Sequence, residues 1–255
     1  MRAVRLAGGV VAVLVLGCVG PPGPQGEPGP RGPAGAGYVR TVLVSPSGTE
    51  VQNGAALMAA LGQITDASSN SPYLLELEPG IYDLTGNGSG ALFMKDGVDI
   101  EGSGELTTVI KTTAQTTILA ANAELRFLTV ANSGSGTFQT AVATYATVHG
   151  FHMTHVTAVT TSNGGMFAYA FSGNGVLSDC TLQAGGASDT SSAVFANTAG
   201  EVTVTDSVLA GTTHGIQLQS GVGHVAGSQV IGGGIGATCA YCYDRNFQPL
   251  NNTCN

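Results

Sequence analysis

The sequence contains no tryptophan and few charged residues, which make up 9% of its 255 residues. Basic residues are the scarcest charged type, since the chain beyond residue 37 has five of them against fifteen acidic residues. This balance argues against a nucleic-acid-binding protein, because contact with phosphates needs a basic footprint. It also disfavours polyanions such as pectate, unless calcium bridges the two negative surfaces. A large domain with few charges is typical of β-solenoids, in which like side chains stack on one another.

Long apolar runs are also missing, apart from one at the amino terminus. Two arginines precede a small and apolar run at residues 6–17, which ends at Cys18. This pattern, with a run too short to span a bilayer well, predicts a secretory signal peptide at residues 1–17. The segment Val15-Leu16-Gly17-Cys18 resembles the lipobox of bacterial lipoproteins. The resemblance implies cleavage before Cys18 and acylation of Cys18, and the alternative is ordinary secretion with a cysteine near the cut.

Lipidation of Cys18 would place the protein at the bacterial cell envelope. Two or more acyl chains hold a protein at a membrane far better than one, because each buried methylene adds about 0.8 kcal/mol. Val19, rather than an aspartate, follows the cysteine and favours passage to the outer membrane in a cell with two membranes. We therefore expect an exported protein anchored to the outer membrane or the cell surface.

A collagen-like repeat follows within residues 18–37. Glycine stands at every third position from Gly20 to Gly35, with six prolines between these glycines. Only glycine fits at the crowded axis of three wound polyproline II chains, so this period is the signature of a collagen triple helix. The segment is interpreted either as a homotrimeric stalk or as a single-chain, proline-rich spacer. Both are semi-rigid and reach up to about 55 Å, at about 3.1 Å per residue.

The remaining chain, residues 38–255, carries a repeated unit of short strands. Each unit opens and closes on an apolar residue, and its third position is repeatedly Gly or Asp, which tolerate unusual φ angles. A period of about 21–29 residues without a helical phase predicts stacked coils of β-strands that bury each other's inner faces. The units are predicted to begin at Ile100, Leu125, Val148, Leu177, Val204 and Val225.

A second, looser strand precedes the later units. The segment Met166–Phe171 alternates small and aromatic residues, which places three rings on one face. These rings form either an internal aromatic ladder continued by Phe195, which we favour, or a platform on which sugar rings stack. The predicted second strands lie at residues 141–143, 166–171, 193–195 and 216–218.

The start of this domain carries a family resemblance. The segments Val42–Gly48 and Asn53–Leu61 resemble the entry to bacterial proteins of the pectin lyase-like right-handed parallel β-helix superfamily, and residues 73–84 and 98–104 continue it. The resemblance implies an all-β, single-stranded right-handed parallel β-helix with an N-terminal capping helix. Apolar residues at amphipathic spacing place that helix at about residues 53–64.

The cysteines beyond the amino terminus are concentrated at the carboxyl end. Cys239, Cys242 and Cys254 cluster there, whereas Cys180 stands alone. A disulfide between two of the three suits an exported protein, and zinc is disfavoured because a second ligand pair is missing. The tail is similar to those that close non-catalytic members of the superfamily, where a cysteine precedes a Tyr-Asp pair and another ends the chain. This similarity implies the disulfide Cys239–Cys254 and places Cys242 at an apolar position.

The superfamily also indicates what an enzyme would need. Pectate lyases use carboxylates that bind calcium and an arginine or lysine that abstracts a proton, while polygalacturonases use paired aspartates with Gly-His-Gly and Arg-x-Lys motifs. This chain has Thr213-His214-Gly215, but neither adjacent aspartates nor an Arg-x-Lys motif. Arg126 is expected to have no carboxylate on its own coil except Glu124. No complete set of catalytic residues is therefore predicted.

Asp179 and Asp206 are the best remaining candidates for catalysis. They occupy the same place in successive units, so we expect them to stack about 5 Å apart. Two such carboxylates could raise one pKa or bind calcium, with Glu201 close enough in sequence to join them. The interpretation that we favour is two turn residues that face solvent, because Gly150 and Gly227 are assigned to the same place.

Three histidines in one short segment are candidate metal ligands. His149 and His152 are three residues apart, so they point to opposite faces of a straight strand and cannot share one metal. The positions aligned with them in the next unit, Ser178 and Thr181, add no nitrogen ligand. We therefore predict that these two residues and His155 are surface or partly buried histidines, with no metal site.

Together these patterns predict a non-catalytic, membrane-anchored cell-surface protein that displays a β-helix for adhesion, scaffolding or glycan binding. Its expected partners are the lipid membrane, through acylated Cys18, and a polysaccharide or cell-surface ligand. One alternative is a divergent polysaccharide lyase or glycoside hydrolase that uses Asp179 and Asp206. A further alternative is a trimeric, tail-spike-like assembly in which the stalk joins three chains. No cofactor is predicted, apart from calcium in the lyase alternative.

Overall fold

The fold of the chain is that of a computed structural model. It describes residues 38, 40–86, 88, 90–113, 117–134, 139–144, 148–160, 165–170, 173–185 and 191–255, with only the backbone at 165–170. These residues belong to one compact unit. The predicted signal peptide, Cys18 and the collagen-like segment lie outside the described residues.

The described chain forms a parallel β-helix with one helix, α1, at Glu50–Gln63. All pairings between its strands are parallel, as the repeat predicts. The strands are β1 Arg40–Val44, β2 Tyr73–Leu77, β3 Gly80–Asp83, β4 Leu92–Phe93, β5 Val98–Gly102, β6 Thr108–Thr112, β7 Thr117–Ile118, β8 Glu124–Asn132, β9 Gln139–Ala143, β10 Val148–Thr160, β11 Gly165–Ala170, β12 Gly173–Ser178, β13 Thr181–Ala184, β14 Ser192–Ala196, β15 Glu201–Thr205, β16 Val208–Gly211, β17 His214–Leu218, β18 Val222–Ala226, β19 Gln229–Ile231, β20 Gly234–Ile235 and β21 Ala237–Ala240.

The strands stack into three parallel ladders. The first ladder has the order β1-β2-β5-β8-β10-β12-β15-β18-β21. A second contains β3, β6, β13, β16 and β19, and it joins the first because β8 and β10 run through the bend between them. The third has the order β20-β17-β14-β11-β9-β7-β4. The looser strands predicted before the units are β9, β11, β14 and β17, so this part of the prediction is confirmed.

The core consists of stacks of inward-facing apolar side chains from successive coils. Strand residues alternate between faces and neighbouring strands lie about 4.8 Å apart, so one apolar residue per strand continues the stack. Residues of the first ladder that are paired in register and buried include Leu75, Ile100, Leu125, Met153, Leu177, Val204 and Val225. Phe195 on the third ladder is also buried. The side chains of Met166–Phe171 lie outside the described residues, so the aromatic ladder stays a prediction.

The predicted alignment of the third unit is wrong. The structure pairs Met153, not Val148, with Leu125 and with Leu177. The error arises because β10 begins five residues before the repeat proper and shifts register between His149 and Phe151. Gly150, with φ of 69°, lies in this bulge and does not share a place with Gly227.

Helix α1 packs beside the first coils at the amino-terminal end. Leu57 and Leu61 are buried, and Gly54 leaves room for the carbonyl oxygen of Asp83, which would lie 2.1 Å from an added Cβ. Thr49 accepts a hydrogen bond from the backbone of Gln52, whose side chain accepts one from the Thr49 backbone. This capping box starts the helix three residues before the predicted position. In the described part of the chain no helix is long and apolar enough to cross a membrane.

The carboxyl-terminal tail covers the last coil. Cys239 is bonded to Cys254, which confirms the predicted disulfide, and the described free thiols of Cys180 and Cys242 are buried. The Cys239 backbone N–H donates to the Asn252 carbonyl at 3.0 Å, and the Asn255 side chain donates to the Gly234 carbonyl at 3.1 Å. The tail therefore pairs with strands that would otherwise present open edges.

Candidate functional site

Asp179 and Asp206 lie beside each other in a column of residues at the bend between the first two ladders. Their backbone N–H groups donate to the next coil, at Thr205 O and Ala226 O. Both side chains are exposed, and both residues have a left-handed backbone, with φ of 53° and 50°. Aspartate tolerates this conformation better than most residues because its short polar side chain bonds locally. The column contains Phe127, His155, Asp179, Asp206, Gly227 and Tyr241, all with φ between 50° and 60°.

A buried row directly after this column fixes the bend. The Ser207 hydroxyl accepts a hydrogen bond from the Cys180 backbone at 3.0 Å, and the Ser228 hydroxyl accepts one from the Ser207 backbone at 3.1 Å. Each hydroxyl also donates to a carbonyl two residues earlier, at 2.6 and 2.7 Å. Burial is the main cause that raises the pKa of the Cys180 thiol to about 12. The row therefore has a structural role at the bend.

The three histidines of β10 are separated by the fold. His149 and His152 are exposed, whereas His155 is half-buried and stacks on Phe127 with ring centroids 5.1 Å apart. The predicted alignment of His149 and His152 with the next unit is wrong, because the bulge in β10 pairs His149 with Asn174 and His152 with Val176. Among the residues that the structure describes, no three His, Cys, Asp or Glu side chains come close enough to hold a metal ion.

Arg126 meets three carboxylates: Glu124, the one expected on its own coil, and Asp99 and Glu101 on the preceding coil. Its guanidinium lies 2.6 Å from Glu124, 2.7 Å from Glu101 and 3.6 Å from Asp99. Burial opposes the charge, but hydrogen bonds with Tyr38, Glu101 and Glu124 outweigh it and raise the pKa of Arg126 above its usual value. Asp99 and Glu124 are 25 residues apart, as are Glu101 and Arg126, and 25 residues is the length of one coil here. This spacing is the signal in the sequence from which the cluster could have been predicted.

Tyr38 completes this cluster in an arrangement that we call the Tyr38 clasp, formed by Tyr38, Asp99 and Arg126. The Tyr38 hydroxyl donates to Asp99 Oδ2 at 2.7 Å and accepts from Arg126 Nη2 at 2.8 Å. The guanidinium also lies 5.7 Å from the centroid of the Tyr38 ring. Burial, followed by the hydrogen bond to Asp99, raises the pKa of Tyr38 to about 12. The clasp thus ties the first described residue to the face formed by β5 and β8.

A second feature of the same ladder is a shallow cavity of about 250 Å³ on its outer face. Two glycines line it. A Cβ on Gly175 would lie 1.9 Å from the ring of Phe151, which fills the space beneath, and Gly150 lies in the bulge. We call it the lateral depression. It is lined by the side chains of His152, Asn174, Val176, Glu201 and Thr203 and by Gly150 and Gly175.

The lateral depression combines hydrogen-bonding groups with an apolar floor. His152, Asn174 and Glu201 are exposed at its rim, and Val176 is 38% exposed. Glu201 lies 3.9 Å from His224 Nε2, whose ring shares a 3.0 Å hydrogen bond with Thr238 on the next strand. Sequence reasoning missed this site, because it depends on the register shift at Gly150 and on no local motif.

A larger cavity of about 380 Å³ lies beside the carboxyl end of α1. Arg40 lines it and lies 5.8 Å from the centroid of the Tyr73 ring. The Tyr73 hydroxyl donates to Asp66 at 2.5 Å, and this bond lowers the pKa of Asp66. Arg40, Asp66 and Tyr73 are therefore engaged with each other.

Comparisons with protein-family models, with curated proteins and with solved structures found no match to this chain. The parallel β-helix therefore rests on the structure itself, and the function is inferred from the sites described above.

Proposed function

We propose that the protein is a membrane-anchored cell-surface protein whose β-helix displays a binding face. The observation that carries this proposal is the Tyr38 clasp. Tyr38 follows the collagen-like segment directly and is tied by a charged hydrogen-bond network to the first ladder. A tethered display domain needs such an attachment, because the chain must leave the fold at a fixed point.

The surroundings of the candidate catalytic residues favour display over catalysis. Arg126 is ion-paired with carboxylates, so it is charged and a poor acceptor for a substrate proton. Asp179 and Asp206 are exposed residues at left-handed turn positions, a role that needs no catalytic explanation. These observations support a structural role for Arg126, Asp179 and Asp206, the residues on which catalysis by a lyase or hydrolase would depend.

The amino-terminal segments supply the location in this proposal. Acylated Cys18 anchors the chain, and the Gly-X-Y segment extends up to about 55 Å from the membrane. A triple-helical stalk would present three β-helices together, whereas a single-chain spacer would present one. Sedimentation of the full chain and of a variant that lacks residues 20–37 distinguishes these two arrangements.

Membrane fractionation of the full chain, expressed in a bacterium, tests the anchor. The wild type is expected in the membrane fraction with incorporated fatty acid, and Cys18→Ser is expected to lose both properties. Cys180→Ala is the matched control, because it removes a buried thiol that no acyltransferase reaches. A wild-type protein free of membranes, or a Cys18→Ser variant that fractionates unchanged, contradicts the anchor.

A broad glycan screen tests the display assignment itself. We expect no release of oligosaccharides, with or without calcium. Calcium-dependent cleavage that is lost in Asp179→Ala or Asp206→Ala would instead establish the enzyme alternative.

A further inference from the structure

We propose that the carboxyl-terminal end of the β-helix contacts a bilayer of zwitterionic lipid through a set of exposed aromatic residues. We call this set the aromatic tip, and it consists of Tyr241, Tyr243, Arg245 and Phe247. The inference does not rest on acylation of Cys18, because it concerns the last coil and not the amino-terminal anchor. It depends on the exposure of the three rings, on the hydrogen bonds of one loop and on the charge of Arg245.

The aromatic tip exposes rings at the end of the solenoid, where a polar surface is usual. Terminal coils need a polar outer face for solubility, because an apolar end would stack on other molecules. Here Tyr241 is 85% exposed, Phe247 is 74% exposed and Tyr243 is 39% exposed. None of the three belongs to the apolar core of the described residues. Packing within the domain therefore does not explain why these positions are aromatic.

Two of the rings belong to residues with an unfavourable backbone conformation. Tyr241 and Phe247 have φ of 56° and 57°, in the left-handed region that bulky residues rarely adopt. Asp206 and Gly227, which precede Tyr241 in the column at the bend, suit this conformation better. Because a smaller residue would fit at lower cost, the aromatic side chains are expected to serve a function outside the fold.

The loop that carries Phe247 pairs its own backbone groups. The Asp244 carboxylate accepts hydrogen bonds from the backbone N–H groups of Asn246 at 2.7 Å and of Gln248 at 2.8 Å. The Asp244 N–H donates to the Gln248 carbonyl at 2.9 Å, and the Phe247 N–H donates to the Asp244 carbonyl at 3.1 Å. A loop that enters a bilayer loses water, so its polar backbone groups need partners beforehand. Residues 244–248 meet this requirement.

Arg245 gives the aromatic tip the charge that a lipid phosphate requires. It is exposed and has no ion-pair partner among the described residues, since the neighbouring Asp244 carboxylate is bonded to the loop backbone. A guanidinium binds phosphate oxygens well, and its apolar stem and the tyrosine rings suit the boundary between headgroups and acyl chains. The whole chain has a formal net charge of −8, which repels anionic lipids. Zwitterionic headgroups are therefore the expected surface.

The lack of tryptophan in the sequence makes fluorescence a direct test, because one introduced tryptophan reports only its own position. The full chain with Phe247→Trp is mixed with vesicles of phosphatidylcholine that is brominated on its acyl chains. A blue shift of the emission and quenching by bromine are expected, because the ring enters the bilayer interface.

Phe93→Trp is the matched control. Phe93 is also more than half exposed, but it lies on β4, at the opposite end of the third ladder from β20. Its emission should remain unshifted and unquenched. Both variants carry the same amino-terminal segment, so an anchor in that segment brings both to the vesicles alike.

A second reporter measures the contribution of Phe247. Tyr241→Trp should also be quenched in the brominated vesicles. Adding Phe247→Ser should lower the equilibrium constant for contact, taken from the extent of quenching, about tenfold or more, because one ring no longer leaves water. Adding Phe93→Ser instead should leave the constant unchanged. Thermal melting shows whether each variant is folded.

Three results would overturn the lipid contact. The first is a folded Phe247→Trp variant whose emission is unchanged at millimolar lipid, which would leave a protein surface as the better occupant. The second is equal quenching of Phe247→Trp and Phe93→Trp, and the third is a contact constant that Phe247→Ser does not change. Fractionation of Cys18→Ser is a separate measurement, so failure of the aromatic tip is distinguishable from failure of the membrane anchor.

Discussion

The Tyr38 hydroxyl donates a 2.7 Å hydrogen bond to Asp99, a residue 61 positions further along the chain. Arg126 joins the two residues and is itself 88 positions from Tyr38. The clasp therefore closes a long loop with polar contacts, at the end of the described chain where a fold is otherwise prone to fray. Its charged members lie largely out of solvent, so their pairing should affect stability more than a surface ion pair does.

Arg126→Ala is expected to destabilise the domain by about 3 kcal/mol, the lower end for breaking a buried pair. The reason is that the Arg126 side chain is 15% exposed, and its loss leaves three mutually repelling carboxylates. Lys111→Ala is the control, because the Lys111–Glu50 pair is exposed and should contribute no more than about 1 kcal/mol. Urea unfolding measures both, and equal effects would contradict a structural role for the cluster.

The stability of the domain should fall between about pH 10 and pH 12. Burial and hydrogen bonding raise the pKa of Tyr38 to about 12, and burial raises that of Tyr82 to about 12, from an ordinary value of 10. The folded chain therefore keeps protons that the unfolded chain loses, so the stabilisation is complete below pH 10 and disappears as the pH rises through 12.

Tyr38→Phe should weaken this pH dependence, measured as the free energy of unfolding at each pH. It should not remove the dependence, because Tyr82 still donates to Val44 O and Glu78 O from a buried position. Tyr241→Phe alters an exposed ring and is the control. A profile for Tyr38→Phe that coincides with the wild-type profile would show that Tyr38 is not held in the clasp.

The features that the sequence predicted are those that depend on repetition or on local chemistry. Stacked coils follow from apolar residues such as Leu177 and Val204, which recur once per turn of the β-helix. The disulfide Cys239–Cys254 was implied by the resemblance of the tail. The start of α1 was missed although Thr49 and Gln52 form a capping box, which is a local and readable signal.

The candidate sites depended on register, which the sequence does not determine. One bulge at Gly150 moved His152 beside Val176 and placed His155, rather than Gly150, before Asp179 in the column at the bend. A shift of this kind redirects side chains between the faces of a strand, so an alignment by apolar residues alone cannot detect it. Two of the carboxylates that surround Arg126, Asp99 and Glu101, were missed because they lie on the neighbouring coil.

Gly175→Ala should destabilise the domain by about 1–3 kcal/mol, the usual cost of overpacking. The added methyl group would meet the ring of Phe151, which is fully buried. Gly62→Ala, at an exposed position of α1, is the matched control, because nothing lies within 4 Å of its added methyl group. That change should be neutral or stabilise by up to about 1 kcal/mol. Chemical unfolding compares the two, and a stable Gly175→Ala variant would contradict the packing beneath the lateral depression.

Removal of the disulfide by Cys239→Ala and Cys254→Ala should destabilise the domain by about 3 kcal/mol, the value for a loop of about 15 residues. Loss of the bond also frees the tail that covers β21, because Asn252 and Asn255 pair with the last coil. Faster hydrogen exchange is therefore expected at residues 237–240. A reductant should lower the free energy of unfolding of the wild type and of Cys180→Ala by similar amounts, since Cys180 is a free thiol. It should leave the double variant unchanged, and a wild type that is insensitive to reductant would show that the tail is held by its hydrogen bonds alone.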